Sequence, residues 1–377
     1  MTYPWKDPEI SKHYDPKWTE FLITIAEKSR QNLESKGILE KLDQLSASQR
    51  RRLESGESFY LGRDVLKVYL PIESFKDDIK VTNTFIPSFD GHHIPIKVYK
   101  SLKTIGSKQS VHINFHGGGF AHGGLHYDEY QCFWLAHLTD VTIIDVDYRL
   151  VPENHLTVAF LDALSVFKTV SEKGEQLFNI DRSRLSVGGY SAGGKLSLAL
   201  AHLARDLNIP LNLVIANVPV VQDFSIVKDV DDVPFNGSFK KFYNDPNLNF
   251  GSMVQYETFV QEGKHSNHSQ IDIEKIEQYF GTASFLSHLQ SHYQGDIYCA
   301  PNFSNLPNHI VVTAETDVLG DGGRAYAAKL INEFVEVKSK VIRGLGHSHH
   351  NFANLFPQSR EYLYLVAKSL KGVADGD

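Results

Sequence analysis

Cysteine is scarce in this chain: Cys132 and Cys299 are the two it has among 377 residues. A disulfide-rich scaffold is thereby excluded, and at most one bridge can form. Cys132 falls in an apolar predicted helix and reads as a small core residue. Positive charge is also in deficit, since 38 Lys and Arg against 45 Asp and Glu give a formal net charge of -7. No overall basic field draws such a chain to nucleic acid or to anionic lipid. The short run Arg50-Arg51-Arg52 reads as a solvated helix end. Long apolar runs are missing, so no membrane span is expected. The stretch Thr2-Tyr3-Pro4-Trp5-Lys6-Asp7 does not form the apolar centre of a signal peptide, which makes the cytoplasm the expected compartment. Internal repeats and long low-complexity tracts are absent as well.

What the chain does have is a hydrophobic fraction of 42%, enough for a large core in one α/β domain with additions or in two domains. Residues 1–80 read as a largely helical segment. Asp15-Pro16 opens a helix there, and Trp18, Phe21, Leu22 and Ile25 recur at helical spacing as a packing face. From Val81 the pattern changes. Val81 to Phe85, the turn Asp90-Gly91 and Ile94 to Tyr99 read as a hairpin. Strands and helices then alternate, which predicts a mostly parallel sheet with helices on both faces.

Two glycine-rich segments carry chemistry. In Gly189-Tyr190-Ser191-Ala192-Gly193-Gly194 a serine stands between the apolar strand Leu185-Ser186-Val187 and a helix-forming run from Lys195 to Ala204. Glycines on either side let the backbone fold back on itself, so the hydroxyl is held clear at the sheet edge beside a helix N-terminus. That end of a helix favours developing negative charge. In His116-Gly117-Gly118-Gly119-Phe120, three glycines follow the strand Val111 to Phe115 and can present bare N–H groups to an oxyanion. A phosphate-binding loop is the alternative, but no Lys-Ser/Thr pair follows and no GxGxxG frame fits.

Together with Asp147-Tyr148-Arg149-Leu150-Val151-Pro152-Glu153, these motifs resemble those of the hormone-sensitive-lipase-like α/β-hydrolases, whose members carry HGGG, a YRLAPE-like segment and GDSAGG in this order. The resemblance runs from about Val81 to the C-terminal helix. It implies an α/β-hydrolase fold in which the strand before HGGG, the strand Val141 to Val146 and the strand before the serine are neighbours. It also implies a Ser-His-Asp triad with Ser191 as nucleophile, and an oxyanion hole of N–H groups from Gly118, Gly119 and Ala192. Tyr190 departs from the pattern, standing where the family usually has aspartate, so one support of the oxyanion loop is absent or replaced. Leu156-Thr157-Val158-Ala159 lacks the proline usual before the helix, which concerns local helix entry.

In this fold the acid and the base follow the serine. The segment His309 to Asp317 offers Asp317 in the family register. Glu315 and Asp321 are the competitors, readable as a loop-solvated carboxylate and as a helix N-cap. Gly344-Leu345-Gly346-His347-Ser348-His349-His350-Asn351-Phe352 offers three histidines. Glycine spacing selects His347 as the base, against His350, which the residues before Phe352 favour; His349 reads as facing away or locally packed. One histidine-rich loop without matched ligands elsewhere is a weak basis for a metal site, so no metal and no cofactor are expected.

The interval from Ser191 to Asp317 is long for one strand–helix–strand step. An insertion at about 222–300 is therefore expected, forming with residues 1–80 a helical cap on a catalytic domain of residues 81–377. Its aromatic residues Phe235, Phe239, Phe242, Tyr243, Phe250, Tyr256 and Phe259 either line an apolar pocket or hold the cap together. Asp229, Asp231 and Asp232 read as a polar outer surface. The expected partner is a small-molecule ester; Val337 to Ile342 gives no sign for or against an edge-to-edge homodimer. The expected activity is that of a carboxylesterase on small to medium acyl esters. An amidase of the aryl-formamidase kind, a lactonase, and a catalytically silent small-ligand binder are the alternatives.

Overall fold

The computed structural model describes residues 3–37, 49, 72–225, 229–266 and 271–375. The run Arg50-Arg51-Arg52 lies outside them. Among the described residues eight strands form one sheet: β1 (Ile79–Pro87), β2 (His93–Ser101), β3 (Gln109–Phe115), β4 (Thr142–Val146), β5 (Ile180–Tyr190), β6 (Leu213–Asn217), β7 (Asn308–Ala314) and β8 (Val337–Ile342). Their order is β1-β2-β4-β3-β5-β6-β7-β8. The hairpin β1–β2 is antiparallel and joins β4 antiparallel, and every pairing from β4 to β8 is parallel. The expected neighbours β4, β3 and β5 lie side by side.

The central strands β3, β4, β6 and β7 are buried nearly end to end because both faces of the sheet are covered there, whereas the edge strands β1 and β8 are largely exposed. Val214 and Ala216 of β6 pack into one core with Val311 of β7, while Leu213, Ile215, Ile310 and Val312 pack into the other. This is the two-residue alternation of a strand. The first core is closed by α3 (Leu156–Phe178), α4 (Ala192–Asp206) and α7 (Gly320–Asn332), and the second by α2 (Glu129–Thr139) and α8 (Pro357–Asp375). Each fully buried Val, Leu or Ile contributes on the order of 1.5–3 kcal/mol relative to exposure. Cys132 is buried in α2 as expected, and both cysteines are free thiols.

Two segments outside the sheet approach its C-terminal edge. Asp15 caps α1 (Pro16–Ser35), accepting from Lys17 N at 2.9 Å, with Pro16 opening the helix. Trp18 is buried and packs on Phe352 and Phe356, at ring distances of 5.8 and 5.3 Å, so α1 seats on the chain just after the histidine cluster. Between β6 and β7 lie α5 (Phe250–Gly263), α6 (Ile273–Phe280) and several shorter turns. Tyr14 donates to Asp245 Oδ2 at 2.6 Å, joining the N-terminal segment to this one.

Candidate active site

Ser191 stands at the C-terminal end of β5 and is the N-cap of α4, with φ 56° and ψ -118°. Such a conformation costs roughly 1–3 kcal/mol and persists only where its surroundings enforce it. They do so here. Ser191 N donates to Asn217 O at 2.9 Å, and Val220 N donates to Ser191 O at 3.3 Å. The flanking glycines are required by close approach: a Cβ on Gly189 would lie 2.2 Å from Phe115 O, and one on Gly193 would lie 1.9 Å from the same oxygen. The turn is thus wedged against the end of β3, beside the first unbonded N–H groups of α4. Ala192 is the first residue of that helix and is fully buried.

The second glycine segment leaves β3 beside it. Gly118 and Gly119 have φ of 108° and 61°, backbone that a side chain would strain. The ring of Tyr256 from α5 lies over Gly119, where a Cβ would fall 2.3 Å away. Tyr148 holds the loop from behind, donating to His116 O at 2.8 Å and stacking on the His116 ring at 4.3 Å. Arg149 anchors the Tyr148 segment to the core. It donates to the fully buried Asp162 at 2.7 and 2.8 Å and to Asp90 at 2.6 Å.

Asp317 follows β7 and His347 follows β8, and the structure brings them together: His347 Nδ1 lies 2.8 Å from Asp317 Oδ2. The other carboxylate oxygen accepts from Leu319 N at 3.0 Å, which fixes its plane. A carboxylate can only accept, so the imidazole hydrogen sits on Nδ1 and Nε2 is the nitrogen left for a substrate or nucleophile. Ser348 and Asn247 hold the loop through a reciprocal pair: Asn247 Nδ2 donates to Ser348 Oγ at 2.6 Å, and Ser348 N donates to Asn247 Oδ1 at 2.8 Å.

The competing residues are occupied elsewhere. Glu315 accepts from Gly344 N at 3.0 Å and pairs with His13 at 2.9 Å, so it is a partly buried brace rather than a solvated carboxylate. Asp321 does not cap the helix that follows it; α7 begins at Gly320. Its carboxylate accepts instead from Ser238 N at 2.6 Å, from the inserted segment, and pairs with Arg324. His349 is buried with Nε2 3.1 Å from Asn217 Oδ1, and His350 packs at 4.0 Å on the Tyr190 ring. Burial pushes both imidazoles below the ordinary histidine range. Among the described residues no group of three His, Cys, Asp or Glu is placed to hold a metal ion.

Ser191, His347, Gly118 and Gly119 line one cavity of about 370 Å³. Of the seven cap aromatics expected to line or support it, only Tyr256 is in its wall. Phe239, Phe242, Phe250 and Phe259 are buried in the cores, and Phe235 and Tyr243 are exposed. The rest of the wall includes Lys195, Gln222, Asp223, Glu257 and Gln294, which gives the cavity a polar end. Sequence reasoning missed these residues. Lys195 had a readable signal, a lysine four positions after the serine among the small and apolar residues that open the helix.

A mostly parallel sheet, a strained serine between strand and helix, a glycine loop beside it and a His–Asp pair just past β8 and β7 define an α/β-hydrolase architecture. The chain belongs to the family described as alpha/beta hydrolase fold, whose pattern matches residues 112–351, in agreement with the resemblance carried by the three motifs. It is similar to an arylesterase of Saccharolobus solfataricus, 28% identical over 298 residues, with 79% of this chain and 85% of that protein covered. An arylacetamide deacetylase of Bos taurus is 24% identical over 304 residues, covering 70% of this chain and 74% of that protein. Among solved structures, an esterase of Pyrobaculum calidifontis in a monoclinic form superposes with a TM-score of 0.62 at 26% identity, covering 78% of this chain and 85% of that one. Among the described residues no helix is long and apolar enough to cross a membrane.

Proposed function

We propose that this chain is a serine carboxylesterase that cleaves small to medium acyl esters with Ser191, His347 and Asp317. The observation that carries the reading is the 2.8 Å hydrogen bond from His347 Nδ1 to Asp317, set at a cavity that Ser191 and the glycine loop also line. Similarity to the Saccharolobus solfataricus arylesterase and the Pyrobaculum calidifontis esterase supports ester chemistry. The cavity volume of about 370 Å³ falls near the lower end of small-molecule sites, ~300–1,000 Å³.

In this mechanism His347 Nε2 takes the hydroxyl proton as Ser191 Oγ bonds to the ester carbonyl carbon. Asp317 keeps the imidazole in the required tautomer and stabilises the imidazolium. The charge on the carbonyl oxygen is met by N–H groups of Gly118, Gly119 and Ala192. As the carbon–oxygen bond to the alcohol breaks, His347 returns its proton to the leaving alkoxide and an acyl-enzyme remains. Water then adds to that acyl carbon while His347 takes its proton, and Ser191 leaves with that proton as the acid is released. From the inserted segment, α5 supplies Met253, Tyr256, Glu257 and Val260 to the cavity wall, and in this reading it caps the acyl-enzyme.

Hydrolysis of p-nitrophenyl esters from acetate to decanoate by wild type and Ser191→Ala, with chelator present, tests the reading. Turnover peaking at a short chain and lost in the variant is the expected result. Equal turnover by both proteins contradicts it. Aryl amides are the second substrate class, on the similarity to the bovine arylacetamide deacetylase; turnover of acetanilide but not of the ester series would favour them.

A further inference from the structure

Lys195 is a feature of the cavity that ester hydrolysis alone does not require. Its backbone N–H donates to Ser191 O at 3.0 Å, one helical turn on, so both side chains share the face of α4 that lines the cavity. The residue is only 3% exposed. Nζ donates to two main-chain carbonyls, Gln222 O at 3.2 Å and Gly295 O. An ammonium has three N–H donors, and the third has no protein partner among the described residues.

Acceptors with unspent capacity surround it. Asp223, Asp296 and Glu257 are the carboxyl groups whose charge acts on Lys195, with Asp223 first. Asp223 Oδ2 would lie 3.3 Å from a Cβ on Gly295, next to the carbonyl that Lys195 holds. Asp223 and Glu257 line the cavity with Gln222, Gln290 and Gln294. Burial pushes the Lys195 ammonium down to about 8 and holds the Glu257 carboxyl above its ordinary range, so both groups lie in a weakly hydrated part of the site.

An alkyl chain seated there would leave buried donors and acceptors without partners. A carboxylate would satisfy Lys195 but face Asp223 and Glu257. A hydroxyl both accepts and donates, so adjacent hydroxyls can accept from Lys195 and the glutamines while donating to the two acids. We propose that the substrate is an ester of a polyhydroxylated alcohol, a sugar or polyol, whose free hydroxyls seat against Lys195, Asp223 and Glu257. The proposal rests on the esterase reading of Ser191.

The test holds the acyl group constant. The full chain is assayed on a mono-acetylated methyl glucoside, hexyl acetate and O-acetylglycolate, with p-nitrophenyl acetate reporting whether the serine works at all. The expected result is kcat/KM for the glucoside on the order of ten-fold or more above hexyl acetate, because a site built to bond hydroxyls discriminates against substrates lacking them. Lys195→Met is expected to lower that ratio by about ten-fold, and Asp223→Asn, which keeps the site hydrated, to lower it in the same direction. With p-nitrophenyl acetate turned over, equal or better cleavage of hexyl acetate or O-acetylglycolate by wild type overturns the proposal. So does a Lys195→Met or Asp223→Asn protein with the wild-type ratio. A wild type inert on p-nitrophenyl acetate as well overturns the esterase reading and the proposal together.

Discussion

The ring of Tyr190 packs so closely on Gly117 that a Cβ there would fall 2.5 Å from two ring carbons. The residue before Ser191 is thus the wall that supports the glycine loop, and its ring also meets Tyr127, stacked at 6.3 Å, His350 at 4.0 Å and His347 at 6.5 Å. Packing takes the place of the aspartate usual at this position in the resembled family. Tyr190→Phe should keep kcat/KM within about three-fold, whereas Tyr190→Ala opens a void under the loop and should cost about 3 kcal/mol of stability and most of the activity. Steady-state kinetics with urea unfolding of both variants checks this, and a fully active Tyr190→Ala would refute it.

Asp317→Asn should leave the fold intact and lower kcat by about 10⁴, since an amide presents the wrong hydrogen-bonding partner to His347. Glu315→Gln removes a brace on Gly344 and His13 rather than a partner of the imidazole. Its kcat should stay within a few-fold of wild type. Parallel kinetics on the two variants separates the candidates for the acid.

The central strands β4, β6 and β7 were legible because burial on both faces leaves them as apolar runs between turns, and the β1–β2 hairpin because Asp90-Gly91 marks its turn. The serine and glycine motifs were legible because their glycines answer to main-chain approaches, such as Phe115 O against Gly189 and Gly193. Asp321 was misread because its real partner, Ser238 N, comes from a segment far away in the chain. The cap aromatics were undecidable from composition: whether Phe239 or Tyr256 reaches the cavity depends on helix orientation, and only Tyr256 does. Glycine spacing and the residues before Phe352 point to different histidines, and what separates the three is their tertiary partners: Asp317 for His347, Asn217 for His349 and Tyr190 for His350.

Arg149→Ala should be severely destabilising. It leaves the fully buried Asp162 without its cation, a loss of the kind that costs about 3–5 kcal/mol. Urea unfolding would read this as a lowered midpoint with little change in slope; a midpoint unchanged from wild type would contradict the anchoring role.

Asp245 links the N-terminal segment to the inserted one, and burial pushes its carboxyl up to about 7. The folded value lies above the unfolded one, about 3.9. The folded state therefore binds this proton more tightly, and the associated stability, complete below about pH 4, is lost as pH rises to about 7. The melting temperature of Asp245→Asn relative to wild type should accordingly improve from pH 5 to pH 8. A difference constant across that range would show that Asp245 titrates normally.

The most direct measurement is peptide mapping by mass spectrometry after reaction with a p-nitrophenyl alkylphosphonate, a reagent that traps an activated serine. A single phosphonyl adduct on the peptide carrying Ser191, formed far more slowly in His347→Ala than in His350→Ala, is the predicted result. Modification at another residue, or equal labelling rates in the two histidine variants, would contradict the triad.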